Sequence, residues 1–132
     1  MQIRDFMLHD IHDIVEILTL NDQYGMPAVD GPGAMQRLQA CPAVVFLVYE
    51  GVNRVVGLAR GTYDGSRAMI HLLSVHPAYQ RQGLGSQLVR AIVKRFRERG
   101  APTVSATVTE RSLPFWEKAG FTKTKAFVVG NW

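Results

Sequence analysis

The sequence predicts one α/β domain on a mixed, mostly antiparallel sheet of about six strands, flanked by about four helices. Three observations predict it. Between residues 43 and 75, β-branched and aromatic runs follow one another through tight turns, the signature of consecutive antiparallel hairpins. A strand, a glycine-rich turn, an amphipathic helix and another strand come next, which implies a crossover and a locally parallel pair. The length of 132 residues suits a single domain, and the 47% apolar, 20% charged composition is that of a globular protein.

Gln2 to Met7 reads as the first strand. Asp10 is placed to cap a helix, with Asp13 completing part of a capping box, and Ile11, Ile14, Val15 and Leu18 recur at helical spacing. The pattern fades at Asn21. Gly25, Pro27, Gly31, Pro32 and Gly33 mark a loop before a short helix at Met35 to Ala40, ended by Pro42. Ala43 to Glu50, Arg54 to Tyr63 and Ala68 to Val75 are the next strands, the last two joined by the hairpin pair Asp64-Gly65. Leu84, Leu88, Ile92 and Phe96 then repeat every four residues, with Gly100 suited to end the helix. Thr103 to Val108 reads as a strand, Leu113 to Ala119 as a short helix, and Phe121 to Val129 as the sixth strand.

Several function classes fall away on composition. No apolar run approaches the roughly 20 residues of a membrane helix, and the N-terminus lacks a basic-then-apolar leader. No membrane partner is expected, and a cytoplasmic location is. A lone Cys41 excludes an intrachain disulfide and a cysteine-based metal site. His9 and His12 show no ligand partners in sequence, so no metal is expected.

The net charge of +4 hides a split. Residues 1–66 carry four basic and eight acidic residues; residues 67–132 carry eleven and three. One half suits a cationic partner and the other an anionic one. Arg90, Lys94, Arg95, Arg97 and Arg99 fall on the solvent side of the amphipathic helix without interleaved aromatics. They read as a solvated face, and a nucleic-acid-binding module is the last-ranked alternative.

Gln80-Arg81-Gln82-Gly83-Leu84-Gly85 follows a strand and opens a helix. Glycines let backbone approach a ligand, and the first helical N–H groups lack intrahelical partners, so a pyrophosphate suits the turn. A P-loop is excluded, because no lysine and hydroxyl residue close the motif. A dinucleotide fingerprint is not met either, since its third glycine falls on Leu88.

Leu73-Ser74-Val75-His76-Pro77 with Gln80-Arg81-Gln82-Gly83-Leu84-Gly85 resembles the acetyl-CoA motif of the GNAT N-acetyltransferase superfamily, and Phe115-Trp116-Glu117-Lys118-Ala119-Gly120-Phe121 resembles its second signature. The resemblance implies a sheet splayed at its centre. It implies pantetheine held by Leu73, Ser74 and Val75, and pyrophosphate held by amides from Gln80, Arg81, Gln82, Gly83, Leu84, Gly85 and Ser86. Residues 68–100 then form the coenzyme half and residues 10–40 the acceptor side of a single 1–132 domain. The implied reaction moves acetyl from acetyl-CoA to a primary amine by direct attack in a ternary complex. Arg81, Arg111 or Lys118 meets the coenzyme 3′-phosphate, and the sequence leaves open which.

Two positions depart from the family pattern. Trp116 stands where the family has a tyrosine acid, and an indole N–H does not give up its proton near neutral pH. Trp116 is therefore expected to pack beside pantetheine. Thr109 stands where an asparagine is common. These departures motivate the alternative of a non-catalytic acyl-CoA-binding or sensor protein. For the general base, period-two alternation puts His71 on one face with Leu73 and Val75, and its near-neutral ordinary pKa suits the task. Glu50 is the second candidate. Asp22, Tyr24 and Asp30 are the expected acceptor contacts, for a small-molecule or peptide amine. Few residues follow Phe121, so an unpaired sheet edge is expected to be covered by a second subunit in a homodimer.

Overall fold

A computed structural model describes residues 1–132. Five strands form one sheet in sequence order: β1 (Gln2–Asp5), β2 (Val44–Glu50), β3 (Val55–Tyr63), β4 (Ala68–Val75) and β5 (Val104–Ala106). The first three junctions are antiparallel and the β4–β5 junction is parallel. The parallel pair requires a crossover, which α4 (Leu84–Glu98) supplies. Helices α1 (Ile11–Leu20), α2 (Pro27–Asp30, one turn) and α3 (Pro32–Gln39) precede β2, and α5 (Leu113–Lys118) follows β5.

Each face of the sheet carries its own core. On one, Leu84, Leu88, Val89, Ile92 and Phe96 of α4 and Trp116 of α5 pack on Val45, Leu47, Ala59 and Ile70. On the other, Ile14, Ile17, Leu18 and Met35 pack on Phe46, Val48 and Leu58. The period-four apolar stripe of α4 is buried along its length, which anchors the helix directly behind the glycine turn.

Four differences from the sequence expectations have physical causes. The strand expected at Phe121–Val129 does not form: no residue after Phe121 makes a backbone–backbone hydrogen bond, and Phe127, Val128, Val129 and Trp132 are exposed. The sheet therefore has five strands instead of about six, and β5 is an edge. The third helix begins at Pro32 rather than Met35, since proline fits a first helical position. Asp10 does not cap α1; its carboxylate turns back to accept Met7 N–H and two bonds from Arg4, all at 2.8 Å.

The fourth difference is a bulge. Arg60 pairs with Leu72 and Gly61 with Ile70, so His71 is an extra residue in β4. A Cβ on Gly61 would lie 2.2 Å from the Met69 carbonyl oxygen, so only glycine fits opposite the bulge. The bulge shifts the alternation. Leu73 and Val75 join Ala68 and Ile70 on the α4 face, while Leu72 and Ser74 face α1. His71 no longer alternates in step with Leu73 and Val75, and its Nε2 lies 3.0 Å from Thr62 Oγ1.

Candidate active site

The sheet opens where β4 and β5 part. Pairing runs from Ala68↔Val104 to Ile70↔Ala106, with Thr107 N–H donating to the Ile70 carbonyl at 3.0 Å, and then stops. His71 to Val75 have no partner on β5. In the antiparallel β3–β4 ladder, His76 N–H donates to the Val56 carbonyl, so Ser74 also points its peptide groups at β3. Leu73 and Val75 therefore turn theirs into the gap. A cleft of about 1050 Å³ fills this opening. That is the upper end of small-molecule sites, which suits a long ligand.

The glycine turn forms one end of the cleft. Arg81 is held at φ 64 and Gly83 at φ 83, left-handed conformations that only glycine adopts without strain. Gly83 caps α4, and the first amides of that 15-residue helix meet the cleft with no helical carbonyl to bond. Arg81, Arg90 and Lys118 line the same opening and make no ion pair. Unpaired cations, free amides and a helix N-terminus together make an anion site.

The Acetyltransferase (GNAT) family model matches residues 11–121. The chain belongs to the GNAT acetyltransferase family. Its relatives include the acetyltransferase plu1384 of Photorhabdus laumondii, 32% identical over 110 residues that cover 83% of this chain and 76% of that protein. Among solved structures, a transcriptional regulator from Bacillus halodurans superposes with TM-score 0.85 at 25% identity, covering 99% of both chains. The PaiA N-acetyltransferase of Thermoplasma acidophilum, solved with coenzyme A, shares the fold at TM-score 0.83 and 14% identity, over 96% of this chain and 92% of that one.

Within this GNAT cleft, Leu73, Ser74, Val75, Gln80, Arg81, Gly83, Leu84, Gly85, Ser86 and Trp116 all contribute to the walls; Gln82 does not. Trp116 is 4% exposed and packs edge-on to Phe115 at 5.5 Å and Phe121 at 5.1 Å. Of the three phosphate candidates, Arg81 and Lys118 line the cleft and Arg111 does not, while Arg90 joins them. Thr109 lines the cleft, but its hydroxyl is engaged with Ser112 in a capping box.

His71 borders the cleft beside Leu72 and Leu73. Its pKa is pushed below the ordinary histidine value, first by desolvation and then by the charge of Arg60. The ring is therefore neutral at pH 7 and able to accept a proton. Glu50 is not brought into the cleft: at the end of β2 its carboxylate accepts a hydrogen bond from Arg4 Nε, while the terminal nitrogens of the same guanidinium bind Asp10. Asp30 pairs with Arg60 at 3.1 Å, and Tyr24 packs half-buried against the α1-side core. Asp22 is exposed, at φ 55, with no ion pair. None of these three lines the cleft; from their turn, Gln23 does.

The sequence reading placed Asn21 and Gln23 only within the acceptor-side loop and Arg90 on a solvated helix face, and gave none of them a part in the cleft. Arg90 was legible, lying two helical turns from Gly83 on the face that holds Ser86. The two amides had no spacing signal. His12 also has more neighbours than expected, since Asp13 and Glu16 lie within 4.8 Å. Their carboxylates are engaged, however, Asp13 with Val55 N–H at 3.0 Å and Glu16 with Arg54 at 3.1 Å.

Proposed function

We propose that the protein is an N-acetyltransferase that moves acetyl from acetyl-CoA to a primary amine by direct attack in a ternary complex. The single observation that carries this is the splayed β4–β5 junction with a cationic glycine turn at its mouth. A long polyanion with an amide-bearing arm suits both parts, and a fold relative was solved with coenzyme A. Arg81, Arg90 and Lys118 would face phosphates, and turn amides the pyrophosphate. Pantetheine would pair with the peptide groups of Leu73 and Val75.

The chemistry needs few protein groups. The amine nitrogen attacks the acetyl carbonyl carbon, and the carbon–sulfur bond breaks as the tetrahedral adduct collapses. The Val75 N–H, facing the gap, is the donor placed for the oxyanion. His71 takes the amine proton, directly or through a water; Thr62 Oγ1, 3.0 Å from Nε2, can accept from the tautomer that leaves the Nδ1 lone pair free. Water returns a proton to the thiolate, a tolerable leaving group with an ordinary thiol pKa near ~8.5. The enzyme's largest contribution is holding both substrates together.

The acceptor enters from the α1–α3 side. A cytoplasmic enzyme and a homodimer with a second copy at the β5 edge complete the proposal; a monomer in light scattering at high concentration removes the dimer.

The test is thiol release from acetyl-CoA across a panel of amines, with the melting temperature followed in parallel. Amine-dependent release is expected. A raised melting temperature with no release for any amine favours the alternative, a non-catalytic acyl-CoA sensor, for which Trp116 at the family's tyrosine position is the specific support.

A further inference from the structure

The turn after α1 is tied to the coenzyme groove by three side-chain amides that the chemistry above does not use. Asn21 Nδ2 donates to Ser74 Oγ at 2.7 Å and to the Val75 carbonyl at 2.8 Å. Gln80, which opens the glycine turn, donates to the same carbonyl at 2.9 Å and to Asn21 Oδ1 at 3.2 Å. The Ser74 hydroxyl, 4% exposed, donates to Gln23 Oε1, and Gln23 Nε2 donates to the Leu73 carbonyl at 3.3 Å. The network is self-consistent: both protons of Asn21 and of Gln80 are used, and Ser74 accepts one bond and donates one.

A carbonyl oxygen has two lone pairs. That of Val75 is filled by Asn21 and Gln80, whereas that of Leu73 keeps one free beside Gln23. Both carbonyls face the gap where an amide-bearing arm would lie. An incoming amide N–H finds Leu73 open and Val75 taken. It completes the set at Leu73, beside Gln23, and leaves the bonds of Asn21 and Gln80 to Val75 in place, so a filled groove adds contacts next to the bonds that hold the turn.

The turn has something to present. Asp22 sits between the two anchored residues in a left-handed conformation that aspartate tolerates better than most non-glycine residues. Its N–H donates to the Thr19 carbonyl at 3.2 Å, and the N–H of Gln23 to Leu18 at 2.8 Å. It is the one carboxylate of the 21–30 turn without an ion pair, since Asp30 is held by Arg60.

We propose that Asn21 and Gln23 form a hydrogen-bonded joint through which an occupied coenzyme groove fixes the acceptor-side turn and its Asp22 carboxylate, with Asn21 as the central positioning residue. This rests on the acyl-CoA reading of the cleft.

The test is hydrogen exchange of the peptide spanning residues 19–30, with and without coenzyme A, beside calorimetric coenzyme A binding. In the wild type, coenzyme A is expected to slow exchange in this peptide about fivefold, the factor for one hydrogen bond of ordinary net strength. In Asn21→Ala, coenzyme A is expected to bind within about tenfold of wild type while the slowing is lost. A residue that only supports the fold would lower the melting temperature and leave the ligand response in place. If Asn21→Ala does not fold, Gln23→Ala at the outer end of the network carries the same readout, with partial loss expected. Coenzyme A binding that leaves the wild-type peptide unchanged, or slows it equally in the variants, overturns the joint alone. Absence of coenzyme A binding overturns the cleft reading along with it.

Discussion

The acidic half and the basic half of this protein treat their charges in opposite ways. In residues 1–66, three of the four arginines pair with Asp10, Glu50, Glu16 and Asp30, so half of the eight carboxylates are neutralised within that half. In residues 67–132, only Arg95 of eleven cations makes an ion pair, and it reaches across to Asp5. Charge counted along a sequence is therefore not charge offered to a ligand. The acidic half uses its charges to fasten the first strand, the first helix and the 21–30 turn to the sheet. The basic half leaves its cations at the cleft and on the outer face of α4.

The largest expected effect comes from breaking the internal pairing. Arg4→Ala leaves the buried Asp10 carboxylate, 2% exposed, without its cation and should cost about 3–5 kcal/mol in urea denaturation. The pH dependence sharpens this. Burial alone would raise the Asp10 carboxyl, but the Arg4 and Met7 bonds outweigh it and hold it below the ordinary range. Its stabilisation is present above the unfolded value near ~3.9 and is lost as pH falls through the lower folded value. Without Arg4 most of what lowers the carboxyl is gone, so the stability lost on acidification should be smaller in Arg4→Ala than in the wild type. A variant as stable as wild type would mean these carboxylates are not neutralised in any useful sense.

Second in size is the proposed base. His71→Ala should lower kcat/KM about 10²-fold while coenzyme affinity holds. The acid limb of the wild-type profile should fall below the ordinary histidine value, because deprotonated His71 is the active form and its pKa is depressed. Third, Arg81→Glu and Lys118→Glu should each weaken coenzyme A binding about tenfold at low ionic strength, and less as salt screens the cleft. Equal losses from Arg67→Glu, outside the cleft, would erase the contrast between offered and bystander charge. The smallest effect is expected for Gly85→Ala. Its Cβ would meet Phe115 at 3.4 Å, ordinary contact, so thermal melting should show stability unchanged or raised by about 0.5 kcal/mol, while coenzyme affinity falls.

Much of the fold was legible because it is local. The hairpins, the amphipathic α4 and the glycine turn are each written in neighbouring residues; the first family signature lies on them and the second on α5. What failed was whatever depends on a partner. Phe121–Val129 has the composition of a strand and no strand beside it, and composition does not supply one. Asp10 stands where a cap belongs, but Arg4 binds it from β1. Glu50 and Asp30 read as available carboxylates until their arginines are placed. His71 was assigned a face by alternation, which holds only while the register does. A bulge is a property of two strands and leaves little trace in one. Asn21 and Gln23 were invisible for the same reason: a side-chain amide gains meaning only from the carbonyl it reaches.

The bulge at His71 acts on β4 as a frameshift acts on a message. Residues before it are read in one frame and residues after it in the other. One strand thereby shows Val75 to the α4 side while turning Ser74 toward the α1 loop. Deleting His71 itself would close the ladder with Gly61 still opposite Ile70 and Arg60 still opposite Leu72, so Ser74 and Val75 would keep their faces. What the extra residue contributes is therefore local: a bend in β4, and a histidine set apart from the alternation at the edge of the cleft.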